Sequence, residues 1–98
     1  MLRRLTFFES ISGIQYPEML VIYFDHFIAL KQLVEDTGKV TVISNTDTSI
    51  TFSIKFNNAK NKDKALSIAQ SGVVVIYGRT IQVQVNILSE TEIEIVLQ

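Results

Sequence analysis

From Ile50 to Phe56 every second residue is apolar: Ile50, Phe52, Ile54 and Phe56 alternate with Thr51, Ser53 and Lys55. Successive side chains of a strand point to opposite faces, so this spacing demands a strand with one covered face and one wet face. The period returns twice. Ile81, Val83, Val85 and Ile87 alternate with Gln82, Gln84 and Asn86, and Ile93, Ile95 and Leu97 alternate with Glu92 and Glu94. The links between these runs are too short for parallel crossovers, which makes the pairing antiparallel. Val40 and Val42 precede Ile50 across Ser44–Ser49, a run of turn-forming residues, so residues 39–56 read as a hairpin. Val73–Tyr77 is a β-branched run, the mark of a buried strand, with a tight turn expected at Gly78-Arg79.

A sheet with one apolar face needs a cover. Residues 17–37 supply it as one long helix. Pro17 suits the first helical position, Glu18 favours the first turn, and Gly38 is placed to end the helix in a left-handed conformation. Met19, Tyr23, Phe27, Leu30, Leu33 and Val34 share one side at 100° per residue, with Glu18, Asp25, Gln32 and Asp36 opposite. Residues 57–71 are open between helix and strand, and their composition favours a short helix over about 59–71. Residues 2–11 read weakly as a further strand, although Thr6 and Glu9 also fit a capping box. The expected fold class is therefore α+β: a two-layer sandwich in which a mostly antiparallel sheet of five or six strands is covered by the long helix. With 98 residues the chain is a single domain, 1–98.

Composition removes much chemistry. There is no cysteine, hence no disulfide, thiolate metal site or cysteine nucleophile. Nine Lys and Arg against ten Asp and Glu leave a net charge of −1, unlike a dedicated nucleic-acid surface. Met1–Phe8 is not followed by an apolar run of signal-peptide length, and no stretch has the roughly 20 apolar residues of a bilayer span. A cytoplasmic protein without membrane contact is expected. Richness in Ile, Asn, Lys and Thr suggests an AT-rich bacterial or phage genome. No stretch carries the diagnostic motif of a family.

The individual candidates for chemistry favour structural roles. His26 is the only histidine; Ile22, Ala29 and Leu30 provide no second ligand one turn away, so a partly buried structural histidine is expected. Asn45–Ser49 is oxygen-rich, but Ile50 and Phe56 stand where a calcium loop counted from Asn45 needs glycine and glutamate. Glu90, Glu92 and Glu94 read as a solvated strand face that can also guard an edge. No nucleotide-binding, hydrolase or zinc motif occurs, so no catalytic residue, cofactor or metal is expected.

Two partner surfaces remain. Val21, Phe24 and Ile28 form a second apolar ridge on the long helix, beyond the stripe its sheet needs. Either the segment around Ile14 and Tyr16 covers it within the chain, or it meets a partner, most simply a second copy in a homodimer. The expected function on the second reading is a small non-enzymatic protein–protein interaction module, an accessory, regulatory or inhibitory protein. The alternative is a nucleic-acid-binding accessory protein that grips phosphates with Lys60, Lys64 and Arg79.

Overall fold

The computed structural model describes residues 18–98. The strand expected over residues 2–11, the helix start at Pro17 and the Ile14–Tyr16 cover all lie outside the described residues. Three helices and five strands follow: α1 Glu18–His26, α2 Ile28–Thr37, β1 Gly38–Asn45, β2 Ile50–Phe56, α3 Ala59–Ile68, β3 Gly72–Ile76, β4 Arg79–Ile87 and β5 Glu92–Leu97. The class is α+β, with all five strands antiparallel in one open sheet ordered β1-β2-β5-β4-β3.

The alternating strands behave as their period requires. Cross-strand rows such as Val42–Phe52–Ile95–Val85 and Val40–Ile54–Ile93–Ile87 carry one set of side chains to the same face. Phe52, Ile54, Ile93, Ile95 and Leu97 from that face are fully buried and share a core cluster with Leu20, Tyr23, Phe24, Leu30, Val34, Ala65 and Ala69 of the helical segments. The other face presents rows such as Thr41–Ser53–Glu94–Asn86 and Lys39–Lys55–Glu92. Asn86 donates from Nδ2 to Glu94 Oε1 at 3.1 Å, and Glu92 stands opposite Lys55. Glu92 and Glu94 thus belong to a polar sheet face in the middle of the strand order, not to an edge.

The long helix is two helices. At Phe27 the backbone leaves the helical region, with φ −105° and ψ 74°. On a straight helix residues six apart lie about 9 Å apart along the axis and on different faces. Here Lys31 Nζ reaches Asp25 Oδ1 at 3.0 Å, a contact the break makes possible. The Phe27 ring packs 4.9 Å from Tyr23 and 5.0 Å from His26. Ile28 and Ala29, which open α2, are at the surface, where water can take the amides the break frees. Neither glycine nor proline marks this position.

Gly38 also departs from expectation. Its φ of −126° and ψ of 169° are extended, and β1 begins on it without an intervening loop. Glycine is needed for closeness. A Cβ here would stand 3.1 Å from Ile54 Cγ2 and 3.2 and 3.3 Å from the Phe56 ring. Residues 59–68 form a helix rather than a strand. Its N-cap is Asn58, whose Oδ1 accepts from the Asn61 amide at 2.9 Å, and Asn57 Oδ1 accepts from Asn61 Nδ2 at 2.6 Å. The asparagines beside the lysines are thus capping groups.

Candidate interaction surface

The ridge expected on the long helix is not a surface. Val21 is 6% exposed and Phe24 0%, whereas Ile28 is 52% exposed beyond the break. Phe24 lies edge-on to Tyr23 with ring centroids 5.6 Å apart, and 5.7 Å from Phe52 of β2. Two of the three residues are therefore taken up inside one chain, and the third is separated from them by the change of helix direction. Phe24 belongs to the core cluster, so the ridge is not free as a whole to meet a partner.

The basic candidates do not converge. Lys60 and Lys64 are exposed on α3, which starts just after β2 ends at Phe56. Ile54 shares a row with Ile93 and Ile87, so α3 begins near the Ile87 end of β4. Arg79 begins β4, eight residues and about 27 Å from Ile87. Arg79 instead lines a shallow cleft of about 250 Å³ with Glu18, Met19, Asn45, Thr46, Asp47, Ser49 and Ile50. Two carboxylates in that lining work against phosphate. The Asn45–Ser49 segment forms a self-capped turn, with Thr46 Oγ1 accepting from the Ser49 amide at 3.1 Å. His26 is exposed rather than partly buried, and Asp25 is engaged by Lys31. Among the described residues no group of three or more His, Asp or Glu could hold a metal. Among the same residues no helix is long and apolar enough to cross a membrane.

Ile43 on β1 and Ile87 and Leu88 at the end of β4 are also exposed, and three further exposed apolar side chains fall on one hairpin. Val73 is 63% and Val75 60% exposed on β3, and Tyr77 is 82% exposed at the tip of the β3–β4 hairpin. Ile76 pairs with Arg79, so the turn is Tyr77-Gly78, one residue earlier than the sequence suggests. Both turn residues have positive φ, 51° at Tyr77 and 76° at Gly78, the signature of a type I′ turn that twists with its strands. Glycine suits that position without strain, whereas Tyr77 holds a left-handed backbone at a cost of about 1 kcal/mol. Its ring recovers little of this by burial within the chain.

The two borders of the sheet differ. β1 carries Lys39 and Thr41, and its register breaks between Val42 and Ser44, leaving a bulge at Ile43. A bulge and a charge are devices that keep an edge from pairing. Beyond β3, the upper half of β4 has its Val85 amide bonded by Ser71 Oγ at 2.9 Å. β3 itself, Gly-Val-Val-Val-Ile, has neither charge, proline nor bulge, and among the described residues it pairs only with β4. On the polar face beside it lies a hollow of about 270 Å³ lined by Gly72, Val73, Gln82, Val83, Gln84, Val96 and Gln98.

Comparison of the chain with protein-family models, curated proteins and solved structures finds no match. The β-branched run is a strand, as the sequence suggests, but not the buried one expected: Val73 and Val75 are exposed. Its place at the border was not visible in the sequence, because strand order depends on which loops cross the sheet.

Proposed function

We propose that this protein is a small protein–protein interaction module without catalytic activity, and that it recognises its partner through β3 and the Tyr77 hairpin tip. The observation that carries this reading is Tyr77, a strained, 82% exposed aromatic side by side with an unguarded strand whose valines face solvent. A strained residue whose ring is left in solvent points to a role outside the fold. Strand addition supplies affinity through main-chain hydrogen bonds and specificity through alternate side chains, and Val73 and Val75 are such alternates. Tyrosine is also among the residues that most often anchor interfaces.

A photoactivatable phenylalanine analogue placed at position 77, and separately at Thr41 on the guarded side of the sheet, tests this in cells of the source organism. Discrete protein adducts from position 77 and none from position 41 are expected. Equal labelling at both positions, or none at 77, would overturn the reading.

A further inference from the structure

The unguarded strand can pair with itself. We infer that the partner at β3 is a second copy of this chain, joined by antiparallel β3–β3 addition around a two-fold axis at Val74; this rests on the interaction reading above. Gln70 to Gly78 holds no charged residue, so two copies meet without like-charge repulsion. The two-fold sets Val73 of one copy opposite Val75 of the other, Gly72 opposite Ile76, and Ser71 opposite Tyr77. Both Val73–Val75 pairs fall on the polar face of the sheet, where they cover each other, while Val74 meets its own mate on the core face. Tyr77 then arrives beside Val73 of the other copy, on the side where the hollow lined by Gln82, Gln84 and Val96 opens. An aromatic knob and a hollow at opposite ends of one short strand are what a two-fold contact needs, because each copy offers both. The described strands then form one continuous sheet of ten, five from each chain.

The contact is small. A strand of five residues spans about 17 Å, so each copy covers less than the roughly 800 Å² of a standard interface. The dimer is therefore concentration-dependent, with a dissociation constant of about 10–100 µM.

Sedimentation equilibrium of the full chain tests it. Wild type should pass from monomer to dimer across that range. Val73→Glu and Val75→Lys should each weaken self-association at least about tenfold. Mixing these two variants should restore it, because position 73 of one then faces position 75 of the other as an acid–base pair. Tyr77→Asn should weaken association while raising the unfolding midpoint by about 5 °C, since asparagine fits the left-handed turn better. That combination separates loss of pairing from loss of folding. A wild type that stays monomeric to about 1 mM, which is at least ten times the expected dissociation constant, or a mixture no tighter than its components, would overturn self-pairing. If position 77 still labels a different protein, the interaction reading survives without it; if position 77 labels nothing, both fall.

Discussion

Phe24 and Ile28 stand one turn apart in the sequence, and a straight amphipathic helix would give them the same environment. The break at Phe27 gives them opposite ones. Phe24 has no exposed surface and sits against the rings of Tyr23 and Phe52, whereas Ile28 is 52% exposed. Replacing a buried phenylalanine by alanine removes its transfer free energy and leaves a cavity, together about 3–5 kcal/mol. A domain of this size is stable by about 5–15 kcal/mol, so Phe24→Ala should remove roughly a fifth or more of the margin. Ile28→Ala gives up part of one half-exposed side chain and should lose no more than about 1 kcal/mol. Urea unfolding followed by circular dichroism reads both. The midpoint should fall steeply for Phe24→Ala and slightly for Ile28→Ala, with unchanged slopes. Equal small losses at the two positions would mean that Phe24 is not a core residue and that the helix break does not divide the ridge.

Gly38→Ala should lose about 1–2 kcal/mol in the same assay, because its Cβ must displace Ile54 and the Phe56 ring from contacts of 3.1–3.3 Å; a neutral result would show that those side chains yield freely. Tyr23 makes stability sensitive to alkali. Burial pushes its phenol well above the ordinary value of 10.0, so the folded chain keeps the proton after the unfolded chain has released it. Its contribution is whole below pH 10 and is lost as pH rises past it, by up to about 1.4 kcal/mol per pH unit. Denaturant titrations between neutral pH and pH 11 should therefore show a steeper loss for wild type than for Tyr23→Phe, and parallel curves would contradict the burial.

What could be read from the sequence was whatever the side-chain period encodes locally. The alternation over 50–56, 81–87 and 93–97 gave strands and their inner faces, because a strand half covered by helices has to alternate. The helical segments were legible in part: the inner positions Tyr23, Leu30 and Val34 followed from the period, whereas 57–71 stayed open between helix and strand. Three features were not legible. The break at Phe27 has no glycine or proline to announce it, and it leaves Phe24 in the core while Ile28 stays at the surface. The purpose of Gly38 depends on Ile54 and Phe56, which approach it only once β1 and β2 pair. The candidate site was missed because exposure at Val73 and Val75 follows from strand order, and a run of valines by itself suggests a central strand. The available signal was Tyr77 before Gly78: an aromatic at a two-residue turn that asparagine or glycine would fill more easily.

The central claim is that the border formed by β3 meets the same border of a second copy of this chain. Amide chemical shifts recorded over a dilution series read it residue by residue. Concentration-dependent shifts should cluster at Gly72–Tyr77 and the adjoining residues Gln82, Gln84 and Val96, leaving β1 and the Asp25–Lys31 region still. Shifts centred on β1 or on the helices, or a spectrum unchanged at every concentration, would contradict it.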